Sequence, residues 1–137
     1  FLDAMKEADL IPVDEHIQCG DYSIDGGYEA MLRIWDTKKR PTAIFISNYD
    51  MTIGAYLAIN YLNLKIPDDI SVIGFDNFPL ANVVNPPLSF AEQPTNEMGT
   101  EAGKLLYKRI CGDYSDYPQT IMHKPTMYYK ESIRKIN

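Results

Sequence analysis

The sequence predicts an α/β fold, a doubly wound parallel sheet with flanking helices. Three observations carry this expectation. Two short stretches, TAIFIS at 42–47 and ISVIGF at 70–75, are apolar without polar alternation, the pattern of strands covered on both faces. Amphipathic helical patterns precede and separate them. Strands that alternate with helices need crossover connections, and these join parallel strands with a right-handed turn.

Each element follows in chain order. Residues 1–9 place Phe1, Met5 and Ala8 on one helical face, and Pro12 closes that region. HIQC, 16–19, reads as a short strand. Ser23 or Asp25 is placed to cap a helix whose buried face is Tyr28, Met31, Leu32 and Trp35. The strand at 42–47 leads into a helix with Met51, Ala55, Ala58, Ile59 and Leu62 on one side. Asn63 is a residue type that tolerates the left-handed conformation needed to close it. The strand at 70–75 follows, and LSFA at 88–91 is a further one. Beyond Gln93, Thr95 is placed to cap a helix with Met98, Ala102, Leu105, Leu106 and Ile110 facing inward. Gly99 and Gly103 share one side of that helix and read as a close-packing surface. Gly112 ends it. TIMH (120–123) and TMYYK (126–130) read as short strands around Lys124-Pro125.

With 137 residues the chain fits one modest domain or part of a larger one. The composition, 45% hydrophobic and 23% charged, is that of a globular rather than a disordered chain. A net charge of −6 argues against this part gripping nucleic acid, because phosphate neutralisation needs clustered Lys and Arg. The one basic run, Lys38-Lys39-Arg40, reads as a solvated helix end. Cys19 and Cys111 lie far apart with no C-x-x-C and no metal spacing, so a reducing, cytoplasmic compartment fits and no metal is expected. No apolar run approaches the roughly 18 residues of a membrane span, and no signal peptide is visible. The chain opens at Phe1 inside a helical pattern with neither Met nor cap, which leads us to expect a fragment.

Ligands of open α/β sheets bind beyond the carboxyl ends of the strands. Gly20-Asp21-Tyr22 follows the strand at 16–19, and Asn48-Tyr49-Asp50 follows 42–47. Asp76-Asn77 follows 70–75, and Glu92-Gln93 follows 88–91. Parallel strands bring Tyr22, Asn48, Asp76 and Gln93 to one rim. A carboxylate accepts from paired hydroxyls, amides donate and accept together, and a tyrosine face covers the C–H face of a sugar ring. The kit suits a small polyhydroxylated ligand, and it equally suits a base edge or another small polar molecule. Each residue also has a structural reading. Asn48 and Asp50 can cap the helix near Met51, Asp76 can order a loop, Tyr22 can be core, and Gln93 has no distinguishing pattern. His16 and His123 read as structural, and the cysteines as small apolar residues.

Signs of catalysis are lacking. Gly26-Gly27 and Gly99 fit neither phosphate-loop fingerprint, and there is no G-x-S-x-G elbow. Asp68-Asp69 reads as solvated turn punctuation. No cofactor and no enzymatic activity are expected. The loop FPLANVV that follows Asp76 is apolar in an acidic chain, which marks Phe78, Leu80 and Val83 as a candidate interface. The other reading tucks them under their own lobe.

The stretch PTAIFISNYDMTIGAYLAINYLNLKIPDDISVIGFDNFPLANVVNPPLSFAEQPTNEMG, 41–99, closely resembles the sensor region of the lactose/galactose repressor (LacI/GalR) family of bacterial transcription regulators. The running pattern is P-x-A, an apolar strand and an Asn, a P-x-D-apolar stretch, G-F-D, P-P-L, and Q-P before a helix. GDYSIDGGYEAM and YYKES resemble the flanking motifs. The resemblance implies a periplasmic-binding-protein-like (type I) sensor with two lobes around an effector cleft. It implies that residues 1–91 form the C-terminal lobe and that 92–137 hold the crossover plus a helix and strands of the N-terminal lobe. It implies a homodimer that meets operator DNA through a helix-turn-helix domain outside this chain, and no membrane partner. Such regulators sense sugars, sugar phosphates or nucleobases, and some bind a protein co-regulator. Position by position, Tyr22, Asn48, Asp76 and Gln93 match the family's effector contacts, and its cleft arginine falls just before Phe1. Tyr49, Asn77 and Thr95 depart from the usual pattern. A transport-type extracellular or periplasmic sugar-binding protein of the same fold is the alternative, and an α/β enzyme a third.

Overall fold

A four-stranded sheet in the order β1-β2-β3-β4 organises the chain. The computed structural model describes residues 1–76 and 79–135, the side chain of Leu80 excepted. Helix α1 is Leu2–Glu7, α2 Ile24–Trp35 and α3 Tyr49–Tyr61, with α4 spanning Thr95–Ile110; the strands are β1 Ala43–Ile46, β2 Ser71–Phe75, β3 Ser89–Glu92 and β4 Thr126–Tyr128. β1, β2 and β3 run parallel and β4 runs antiparallel to β3. The result is an open mixed sheet with flanking helices, the α/β class expected.

The two apolar stretches form β1 and β2 as predicted. Ile44 pairs with Val72, Ile46 with Gly74, and Gly74 with Phe90, so these residues share one sheet face. Met31 from α2 and Ala55, Ala58 and Ile59 from α3 join Ile46, Val72, Leu88 and Phe90 in a single buried cluster. Met31, Ile59, Ile70 and Leu88 are almost wholly buried, each contributing about 1.5–3 kcal/mol of apolar burial.

The helix ends follow from their capping residues. Ser23 caps α2, its Oγ accepting from Gly26 N at 2.9 Å. Asn63 follows α3 at φ 56° and Gly112 follows α4 at φ 81°, as expected of both. Helices α2 and α3 cross closely because both are glycine at the contact. A Cβ on Gly54 would stand 1.9 Å from Ile24 O, and one on Gly27 2.3 Å from Met51 O.

A tail segment fastens the N-terminal ends of β2 and β3. Fully buried Ser132 donates from Oγ to Val72 O at 2.7 Å and accepts there from Ser89 N at 2.7 Å. Its own carbonyl accepts from Val72 N at 2.9 Å. Lys130 N donates to Ser89 Oγ at 2.8 Å.

Several sequence expectations need correction. Residues 16–19 are not a strand. A 3-10 turn covers Asp14–His16, Ile17 N bonds back to Asp14 O, and Gln18 Nε2 donates to Glu15 O. The Ile17 N–H, which a strand could have offered to β1, is thereby spent locally. Residues 120–123 are also not a strand. Thr95 does not cap α4: Pro94 holds that position and no side-chain cap bond forms. The face of α4 expected to point inward is largely open: Met98, Leu106 and Ile110 are exposed, and among the described residues none packs closely enough to bury any residue of the helix. A Cβ on Gly99 or Gly103 would meet nothing within 4 Å, so the close packing inferred for them is not made among the described residues. Cys19 and Cys111 are exposed thiols rather than core residues.

Candidate functional site

Three strand ends and one loop build the rim. Because Ile46 is level with Gly74 and Phe75 with Ala91, β1, β2 and β3 finish side by side, with neighbouring strands about 4.8 Å apart. Asp76 prolongs the ladder by one bond, its N–H reaching Ala91 O at 2.8 Å. The loop at 20–23 reaches the same edge through Asn48.

Asn48 is the N-cap of α3. It is extended (φ −157°, ψ 171°), and its Oδ1 accepts from Met51 N at 3.2 Å. Its Nδ2 also donates to Tyr22 O at 3.3 Å. The capping alternative is therefore what the backbone shows, and the same amide ties the 20–23 loop to the end of β1. One Asn48 N–H is left for another acceptor by the donor inventory.

Tyr22 presents a 69% exposed side chain from a left-handed backbone, φ 62°, so the core alternative does not hold for it. Asp21 fixes this turn. Its Oδ1 accepts from Ser23 N at 3.1 Å and from Ser23 Oγ in a short contact. The Ser23 hydroxyl holds the Asp21 carboxyl below the usual carboxylate range.

Asp76 is also left-handed, φ 74°. Non-glycine residues in that region cost free energy and persist where surrounding structure holds them, often at functional positions. Gln93 Nε2 donates to Asp76 Oδ1 at 2.6 Å, so the first residue beyond β2 is bonded to the first beyond β3. Next to this pair a polar groove of about 270 Å³ runs between Glu92, Gln93, Pro94, Thr95, Asn96, Glu97 and Thr126. Glu92, at the end of β3, takes a hydrogen bond from Tyr128, which pushes the tyrosine hydroxyl's pKa up. Tyr128 was not legible beforehand, because nothing local says which strand β4 joins or in which direction.

The four predicted positions thus fall into two joined pairs, Tyr22 with Asn48 and Asp76 with Gln93, on adjacent strand ends. Chemically the rim offers carboxylate acceptors, amides and an exposed aromatic ring. A second cavity, about 230 Å³, opens along the free edge of β1 between Ile17, Ala30, Met31, Ile44, Ile46 and Met51. It lies where the expected strand at 16–19 would have paired, and its walls are mainly hydrocarbon. Among the described residues no group of three His, Cys, Asp or Glu side chains is placed to hold a metal ion. Of the loop after β2, Phe78 lies outside the described residues. Leu80 belongs to the 3-10 turn Pro79–Asn82. Ala81 is fully buried, Val84 packs on the core, and Val83 is 73% exposed.

A family model for the periplasmic binding protein-like domain matches residues 1–133. The chain belongs to that family. This periplasmic-binding-protein-like chain is 39% identical over 133 residues to the HTH-type transcriptional repressor PurR of Yersinia pestis, a match covering 97% of the chain and 39% of the relative. It superposes on a LacI family transcriptional regulator from Enterococcus faecalis with bound ribose at TM-score 0.75 and 30% identity, covering 86% of this chain and 43% of that one. It superposes on the transcriptional regulator CelR–cellobiose complex at TM-score 0.83 and 26% identity, covering 95% and 39%. The chain spans about two fifths of the length of the curated relatives it matches. The expected resemblance to LacI/GalR regulators is shown, and those relatives are a transcriptional repressor and a LacI family transcriptional regulator. Among the described residues no helix is long and apolar enough to cross a membrane.

Proposed function

We propose that the chain is the effector-sensing and dimerisation part of a cytoplasmic, DNA-binding transcriptional regulator of the LacI/GalR type. Tyr22, Asn48, Asp76 and Gln93 contact a small sugar-like effector. Phe78, Leu80 and Val83 pack against a second copy. Operator DNA is met through a helix-turn-helix outside the chain, which fits the net charge of −6 here. Residues 1–91 act as one lobe, and 92–137 as the crossover and part of the other. The open apolar face of α4 supports that division.

The observation that carries the reading is the bonded Asp76–Gln93 pair at adjacent parallel strand ends. Structures of the same fold were solved with ribose and with cellobiose. The relatives are repressors, which favours a regulator over a transport protein. Effector bound across two lobes favours their closed arrangement, and the difference in affinity shifts the DNA-competent population. Moving that population from mostly one state to mostly the other takes roughly 5 kcal/mol. A few charge-assisted hydrogen bonds, each about 1.5–3 kcal/mol, supply it. Calorimetric titration with ribose, cellobiose and a panel of other sugars and nucleobases tests the reading. Binding should be seen and should weaken at least tenfold in Asp76→Ala. An Asp76→Ala affinity equal to that of the unaltered protein would remove Asp76 from the site.

A further inference from the structure

We propose that Lys130 is a positioning residue for dimerisation: from the tail it holds the Pro79–Asn82 turn in the shape that presents Val83 to a second copy. This rests on the dimerisation reading above and deepens it, because it names what fixes the contact loop rather than another residue within that loop.

The loop after β2 is anchored at two points and stands out between them. Ala81 is fully buried, its carbonyl accepts from Leu88 N at 2.9 Å, and Val84 packs on the core. Asn82 and Val83 between them are exposed. Among the described residues the Asn82 side chain has one partner, Lys130, whose Nζ donates to Asn82 Oδ1 across 48 positions of sequence. Lys130 can act as a strut because its own base is rigid. Its N–H donates to Ser89 Oγ at 2.8 Å, and its carbonyl accepts from that hydroxyl at 3.2 Å. Ser89 is fully buried in β3. The Lys130 ammonium also lies 5.0 Å from the centre of the Phe90 ring, a cation–π contact with a ring that is itself buried. Both ends of Lys130 are therefore held, and the exposed part of the turn is held with them.

A loop that must be ordered on association loses affinity to that ordering. A strut already formed in the single copy removes part of the cost. The bond has a charged donor, which makes it stronger than a neutral one. A two-fold interface uses the same loop from each copy, so the loss of Lys130 is felt twice in one dimer. One side chain in the tail, which need not touch the partner, thereby gains a severalfold hold on dimer affinity.

Sedimentation equilibrium on the unaltered protein, Lys130→Met, Lys130→Arg, Asn82→Ala and the Lys130→Met, Asn82→Ala double variant tests the inference. Met keeps an unbranched stem and removes the ammonium, whereas Arg keeps a charged donor. The unaltered protein should dimerise. Lys130→Met should raise the dimer dissociation constant by about fivefold or more, and Lys130→Arg should recover most of that loss. Asn82→Ala should weaken the dimer as well, and adding Lys130→Met to it should cost less than about twofold more, because the two residues share one bond. A dimer of undiminished strength in Lys130→Met or in Asn82→Ala, or a double variant whose two losses multiply in full, overturns the strut and leaves the dimerisation reading standing. Asn82→Ala tests the same bond from its exposed end, so a Lys130 variant that failed to fold would not shield the inference. An unaltered protein that stays monomeric at every concentration overturns both.

Discussion

Asp76 and Gln93 are seventeen residues apart in sequence, yet Gln93 Nε2 meets Asp76 Oδ1 at 2.6 Å across the ends of two parallel strands. The bond fixes one carboxylate oxygen of Asp76. It joins a left-handed residue to the segment that leads into α4.

Gln93→Ala should therefore act through Asp76 as well as through its own lost contact. A charge-assisted hydrogen bond contributes about 1.5–3 kcal/mol, so effector affinity should fall about 10- to 100-fold. Calorimetry on Gln93→Ala, Asp76→Ala and the double variant checks it. The two losses should be clearly less than additive, because the residues share one bond. Full additivity would mean that they act independently.

Gly54→Ala should destabilise the fold by at least about 2 kcal/mol, since its Cβ would stand 1.9 Å from a backbone carbonyl that cannot rotate away. Gly99→Ala and Gly103→Ala should do the reverse. Each replaces a mid-helix glycine with nothing within 4 Å of the new methyl group, a gain of up to about 1 kcal/mol in helix propensity. Urea denaturation of the three variants decides the matter. A loss of stability at 99 or 103 would show that this side of α4 is packed in solution.

The last turn of α4 should loosen in acid. Asp116 pairs with Lys108 at 3.0 Å and Arg109 at 2.7 Å, and those bonds hold its carboxyl below the usual carboxylate range. A lowered folded-state pKa means that the contribution is present above the ordinary value, about 3.9, and is lost as pH falls through the folded one. Hydrogen-exchange protection near Lys108 and Arg109 should be level from pH 7 to 5 and decline below about pH 4. The pair is partly exposed and screened by solvent, so the change should be local. In Asp116→Asn the protection should be low throughout and nearly flat with pH.

Val83 is 73% exposed in a loop whose Ala81 is fully buried and whose Val84 packs on the core. An interface there predicts that Val83→Asp converts a dimer to monomer in sedimentation without changing far-UV circular dichroism. A variant that stays dimeric would move the interface elsewhere.

The parallel part of the fold was legible because its signals are local. Unbroken apolar residues marked β1 and β2, Ser23 and Asn63 marked helix ends, and the polar residues just past the strands marked the rim. What failed depended on partners distant in sequence. Residues 16–19 have strand-like composition, but backbone bonds from His16 to Val13 and from Ile17 to Asp14 compete successfully with pairing to β1. The α4 periodicity identified a helix correctly, while its apolar stripe says only that something should cover it, not that this chain does. Tyr128 reaches Glu92 because β4 runs antiparallel beside β3, and direction is not written in a three-residue strand.

Ser132 sets an order of events. Its hydroxyl closes bonds with Val72, made 60 residues earlier, and with Ser89. At synthesis rates of about 5–20 residues per second, β2 waits roughly 3–12 s for the partner that seals its first turn of ladder. Through that interval the nascent sheet exposes unpaired amides at one end. A chaperone that holds the growing polypeptide, or a pause soon after residue 132 is made, should raise its yield.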